Sequence, residues 1–327
     1  MTIVWGLVVA VGAIAFLTGV GSADASRVWS VYLVNLVFWA GLGVTGPAIA
    51  AMMQLTEARW SPSVRRIALT TAGFLPVAFV LFLVLFAGQA TLYPWVTTPL
   101  PAKQAWLNVP FFWLRTLVGA AALFVAALAL VRALVRDAVP PDDARERARR
   151  NRLAVVLLFL WVIGVSLWGF DLVMSLDPTW YSGLFGGYFV VSTLYIGFCL
   201  LSLLTIRANA RGQASIPPAA VQDVAKLQFA ISIVVGWLIP FAYLLKRLTG
   251  RPPQRHTPLV VVSVFGLVAI FLERVLVVFP SVSPSAKLPF GARDLAITAG
   301  FLALFVLCRR WFFSQFKPVI NLPHTGH

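Results

Sequence analysis

Acidic residues are scarce in this chain of 327: there are eleven Asp and Glu, and charged residues of both signs make up only 11% of it. Soluble globular domains carry about 25% charged residues, so a water-soluble fold is excluded. Histidine is nearly missing. His256 falls in a loop and His324 and His327 in the tail, so none lies well inside an apolar run. A membrane haem needs axial ligands within the helices, usually His, and this chain has none to offer there. Cys199 and Cys308 sit far apart in separate apolar segments, with no CxxC. That excludes an iron–sulfur or zinc framework and leaves two thiols as packing residues. Neither a dinucleotide fingerprint nor a phosphate loop occurs. Any redox chemistry must therefore use carriers on partner subunits or a mobile quinone.

What is present is apolar. Hydrophobic residues make up 60% and mean hydropathy is +0.89. A spanning helix needs about 20 apolar residues. Nine runs meet that length, at 3–21, 28–54, 65–88, 106–136, 153–175, 184–206, 226–248, 257–279 and 290–313. The chain reads as an all-α, polytopic integral membrane protein, one membrane domain over 1–327. The loops at 89–105, 137–152 and 207–225 are too short to bury cores of their own. No Lys or Arg precedes Arg27, so the first run lacks a signal peptide's charged start and reads as a retained span.

The net charge of +15 is not a nucleic-acid footprint, because the cations sit in loops between spans, most densely in ARERARRNR at 144–152. This pattern fits the positive-inside rule and contact with anionic lipid. The loops after spans 2, 4 and 6 hold thirteen Lys and Arg; those after spans 1, 3 and 5 hold only Arg27 and Lys103. The first set, and with it the N-terminus, is expected to be cytoplasmic. LYPW (92–95) and SLDPTWYSG then face outward, their aromatic rings forming an interfacial belt. The C-terminal part, 207–327, departs from the regularity of 3–206. Strict alternation would put KRLTGRPPQR (246–255), Arg309, Arg310 and Lys317 outside, against the bias. Restoring the bias requires that 221–248 not cross once. Gly236 and Pro240 would permit a broken or re-entrant element there; a simple span is the reading adopted.

A charge at mid-membrane costs about 2.5–3.5 kcal/mol, so each one needs a reason. Four candidates lie inside the spans: Arg115, Asp171, and the adjacent Glu273 and Arg274. Arg115 is about 15 Å deep and Asp171 about 8 Å. They form either an ion pair locking spans 4 and 5, or part of a proton relay or quinol pocket. A quinol headgroup needs a proton acceptor in an aromatic slot. Asp171, Ser175, Tyr188, Ser192 and Tyr195 offer such groups: Ser175 shares a helix face with Asp171, and the other three share one face of span 6. Glu273 matches the depth of Asp171 only if span 8 runs outward. Asp177 and Pro178 read as a structural turn. Asn35 and Gln54 read as interhelical hydrogen bonders.

Four stretches occur in order over about residues 30–205: VNLVFWAGLGVTGPAIAAMMQLTEARWSPSVRRIA, LYPW, KQAWLNVPFFWLR and GFDLVMSLDPTWYSGLFGGYF. Together they resemble the second large membrane subunit of alternative complex III, one of the NrfD-like, polysulfide-reductase-type membrane proteins. The resemblance implies two four-helix bundles plus peripheral helices, in a bacterial inner (cytoplasmic) membrane. It implies a quinol-oxidising complex whose partners are an iron–sulfur subunit, a multihaem cytochrome and a paralogous membrane subunit. Haem and clusters would belong to those partners, and quinone or quinol is the one cofactor this chain itself would meet. In that family the subunit is read either as quinone-binding or as a proton-path and scaffold subunit. Arg115 and Asp171 occupy motif positions. Two departures stand out: Leu69 replaces a usual Glu, and around VAKLQFAISIVVGWLIPFAYLLKRL one span is missing by comparison. Two other readings remain open, a stand-alone secondary transporter and a purely structural membrane anchor. Pro47, Pro76 and Pro240 do not form the paired broken helices that a transporter would favour.

Overall fold

The computed structural model describes residues 2–57, 62–135, 144–213, 216–235 (229–235 as backbone only), 257–282 and 290–315. Nine long helices are seen there, besides short turns of helix at Pro94–Thr97 and Pro101–Lys103: α1 Thr2–Val20, α2 Ala25–Leu55, α3 Pro62–Leu92, α4 Val109–Val135, α5 Ala144–Leu176, α6 Phe185–Ala210, α7 Pro218–Val235, α8 Thr257–Val282 and α9 Ala292–Gln315. All but α7 are long and apolar enough to cross a membrane, so the described residues hold eight such helices. No strand occurs among them. The protein is an all-α, multi-pass membrane protein. Of the ninth expected span only the start, within α7, is described. Gly236, Pro240, residues 246–255 and the three histidines lie outside the described residues.

α2 is the hub. It packs on α3, α5, α6, α8 and α9, and its apolar window is 89% buried. Small residues make this possible: a Cβ on Gly46 would strike the backbone of Ala68 in α3, and one on Gly197 would strike Thr45. Pro47 stands inside α2 without ending it, as membrane helices allow. α3 tightens to a 3₁₀ turn at Thr70–Phe74, where Thr71 Oγ1 donates to the Gly43 carbonyl at 2.9 Å. α2 to α5 form one four-helix group, and α6 packs on α7 and α8 beside it. α1 is peripheral, only 11% buried, and is held mainly by α9 through a backbone-close contact of Gly12 with Gly300.

Side-chain pairs give the helix directions. Arg27, at the start of α2, forms a bidentate pair with Asp294 at the start of α9 (Nη2–Oδ2 2.6 Å), so α9 runs parallel to α2. Arg309 Nη1, near the end of α9, donates to Thr70 Oγ1 near the start of α3. Arg309 and Arg310 therefore lie at the Arg-rich end. α8 is antiparallel to α6: Ser263 and Ser202 share Gln228, and about three turns further along α8, Arg274 meets Ser192. A single crossing over 226–248 would start α8 at the opposite end. The structure corrects that expectation, since α7 and α8 both begin at the Arg-rich end, where α6 finishes. The bias in charge is preserved, and Glu273 falls at the level of the Asp171 half of the molecule.

Candidate functional site

The residues singled out in the sequence divide into two centres on either side of one irregular turn. α5 widens to a π-helical turn at Trp168–Val173 and then tightens to 3₁₀ over Met174–Leu176. Single π turns inside α-helices are frequent at functional sites. Here the turn carries Asp171 on one side. On the other, Gly169 lies against Phe189 of α6, where an added Cβ would come within 3.0 Å.

The first centre is closed. Arg115 Nε and Nη2 each donate at 2.8 Å, to Asp171 Oδ2 and Oδ1. Trp106 Nε1 adds a third donor to Oδ1 at 3.1 Å, and Arg115 Nη1 donates to the Trp106 carbonyl at 2.8 Å. The guanidinium lies 4.1 Å from the Trp106 ring centroid and 4.7 Å from that of Phe111, a cation–π arrangement. Both carboxylate oxygens are engaged, and the side chains are 9% and 3% exposed. Ser175 Oγ donates to the Asp171 carbonyl. A cleft of about 260 Å³ opens nearby, lined by Lys103, Trp106, Phe170, Met174, Ser175 and Trp180 among others. Asp171 stands behind Trp106 and Ser175, not in the cleft wall. At its rim, Asp177 Oδ1 accepts from the Thr179 N–H at 3.0 Å and from the Thr179 hydroxyl at 2.5 Å. These two donors hold the half-buried Asp177 carboxyl below the usual carboxylate value. Lys103 Nζ donates to the Pro178 carbonyl, pinning the same turn.

The second centre is open. Arg274 Nη1 donates to Glu273 Oε2 at 2.7 Å and Nη2 to Ser192 Oγ at 2.6 Å, while the guanidinium stacks 3.7 Å from the Phe189 ring centroid. Arg274 is 2% exposed but Glu273 is 23% exposed. Glu273 Oε1 has no hydrogen-bond partner among the described residues, and Tyr188 is its neighbour. From Ser192 a run of polar side chains descends one face of α6: Tyr195, Cys199, Ser202 and Thr205, all buried, then Asn209. Spacings of three and four residues keep them on one stripe, about 26 Å long at 1.5 Å per residue. Gln228 of α7 donates to Cys199 Sγ at 3.3 Å and accepts from Ser202 at 2.9 Å and from Ser263 of α8 at 3.3 Å. The Tyr195 hydroxyl and Thr205 Oγ1 have no partner among the described residues. Gly266 of α8 makes room for the first: a Cβ there would lie 2.8 Å from both Tyr195 Oη and Cys199 Sγ.

Asp171, Arg115 and Ser175 thus lie together, and Glu273, Tyr188 and Ser192 lie together elsewhere. Tyr195 belongs to the stripe below the second group. Asn35 donates to Thr298 Oγ1 at 3.0 Å, and Gln54 bridges Asn151 and Arg65 at 3.0 and 2.8 Å. Three participants escaped the sequence reading. Trp106 sits within a quoted motif, but only the fold shows that its indole reaches Asp171. Gln228 carried no signal beyond being polar in an apolar run. Asp294 opens the last span, and its partner Arg27 is 267 positions away. No protein-family model and no curated protein matches the chain.

Proposed function

We propose that the chain is a membrane subunit of a quinol:acceptor oxidoreductase of the alternative complex III type. Its own contribution is a proton path along α6 that ends at Glu273. Membership of such a complex rests on the series of motifs over residues 30–205. The path rests on one observation, the buried polar stripe from Thr205 to Ser192 leading to a carboxylate with an unpartnered oxygen. Hydroxyls both donate and accept, so each can pass a proton on as it receives another. Buried polar groups with unspent hydrogen-bonding capacity are where bridging water sits. Among the described residues Glu273 is the one carboxylate on this line, and Arg274 occupies Oε2 while leaving Oε1 to take the proton. Asp171 suits a different role: with both of its carboxylate oxygens held by Arg115 and one also by Trp106, it locks α4 to α5. By the positive-inside rule, the Arg-rich end and the N-terminus face the cytoplasm. Haem and iron–sulfur clusters belong to partner subunits in this reading.

Native purification tests it. Tagged protein, mildly solubilised, should carry haem bands together with cytochrome and iron–sulfur subunits, and its quinol turnover should slow in Glu273→Gln material of unchanged composition. A colourless single-subunit preparation overturns the reading and points to a transporter. Glu273→Gln complexes of normal composition and normal turnover overturn the path and leave a structural anchor.

A further inference from the structure

The cationic end of α9 has a role that the proton path does not use. Arg309 comes within electrostatic reach of Arg207 and Arg211 at the end of α6, and of its own neighbour Arg310. Among the described residues, no carboxylate lies within 4.0 Å of any of the four. Arg309, partly buried, has Thr70 Oγ1 as a neutral acceptor at 3.4 Å; Arg207, Arg211 and Arg310 are exposed. Four guanidinium groups gathered without an acid repel one another, and a helix corner in that state calls for a counter-anion. Two features place that anion at a membrane surface. Trp311, the next residue, is 60% exposed, and an exposed Trp at the end of a spanning helix marks the headgroup level. Leu302, two turns deeper on the side of Arg309, is 41% exposed and offers apolar surface below that guanidinium.

We propose that the corner formed by the ends of α6 and α9 binds an anionic phospholipid with two phosphodiester groups. Arg207, Arg211 and Arg310 hold the phosphates, Arg309 supports them from beneath, and the acyl chains run along α9 past Leu302. A single phosphodiester brings one negative charge and leaves three of the cations facing each other. Two phosphodiesters match the guanidinium forks in pairs.

The test uses the full chain in detergent, with lipid binding read by native mass spectrometry. The probes are cardiolipin, phosphatidylglycerol and inorganic pyrophosphate. Arg207→Gln with Arg211→Gln leaves the Arg309–Thr70 contact in place, and Arg147→Gln with Arg152→Gln removes two exposed arginines from α5 as a matched control. Elution volume reports whether each variant is folded. Cardiolipin binding should weaken by about tenfold in the first variant and by less than about twofold in the second. Equal losses in the two variants would mean a diffuse charge effect and overturn the site. Phosphatidylglycerol binding as tightly as cardiolipin would overturn the two-phosphate assignment. Displacement by pyrophosphate would identify a free anion, not a lipid, as the ligand.

Discussion

Arg115 and Arg274 are both buried beside a carboxylate in the same half of the molecule, yet the two carboxylates are held differently. Asp171 meets two guanidinium N–H groups and an indole N–H, and neither oxygen is left over. Glu273 gives one oxygen to Arg274 and keeps the other unpartnered. The first arrangement is what a membrane helix needs in order to tolerate a charge: the cost of burial is met by a complete set of donors. The second leaves hydrogen-bonding capacity unspent, which is costly for stability and useful for proton exchange. Position along the membrane normal does not separate the pair; the number of donors aimed at each carboxylate does, together with exposure, 3% for Asp171 and 23% for Glu273.

The largest effect should come from opening the closed centre. Asp171→Asn turns an acceptor towards a donor in a site where every neighbour donates, and it leaves Arg115 as an unpaired buried cation. A loss of about 3–5 kcal/mol is expected, read as a lowered unfolding midpoint of the purified chain in detergent. Replacing both partners, Arg115→Met with Asp171→Leu, should lose less than the single change. If the double variant is the worse of the two, the pair is doing more than locking α4 to α5.

Next comes the room left around Tyr195. Gly266→Ala places a methyl group 2.8 Å from Tyr195 Oη and Cys199 Sγ. Overpacking of this kind costs about 1–3 kcal/mol. Adding Tyr195→Phe removes one of the two clashing atoms and should recover part of the loss. No recovery would mean that α8 moves away as a body, and that the stripe is not tightly enclosed there.

Much of this architecture was legible in composition and spacing. Apolar runs gave eight helices that the structure contains, and the cost of buried charge singled out Arg115, Asp171, Glu273 and Arg274. Which carboxylate is closed was not legible, because it depends on Trp106 folding back from the loop before α4 and on a π turn that no periodicity announces. The course of the chain after α6 was misread for a related reason. Counting spans assumes one crossing per apolar run, whereas contacts between Ser202, Gln228 and Ser263 show where α7 and α8 begin. Asp294 was overlooked because a charge at the edge of a span needs no explanation until its partner is known.

Glu273→Gln sharpens the comparison from the other side. The amide oxygen can accept from Arg274 as Oε2 does, and the NH₂ group can occupy the position of Oε1, which has no hydrogen-bond partner among the described residues and lies beside Tyr188. Stability should fall by about 1 kcal/mol, well short of the Asp171→Asn loss, while proton-coupled turnover of the assembled complex drops. Equal destabilisation by the two amide substitutions would erase the distinction between closed and open centres.

The smallest effect belongs to the rim of the closed centre, where Asp177 is half-buried. Its carboxyl is held below the ordinary value by the Thr179 hydroxyl and N–H. A carboxyl depressed on folding contributes stability above its unfolded pKa and loses it as pH falls through the folded value. That window lies below about pH 4, the usual range for Asp. Asp177→Asn keeps an acceptor for the turn and removes the titration. Its unfolding midpoint should therefore fall slightly less steeply than that of the parent protein as pH is lowered through this window. Identical slopes would mean that the turn is held by Lys103 on the Pro178 carbonyl and not by the Asp177 charge, leaving the Arg115–Asp171 pair as the one acidic contact that fixes this end of α5.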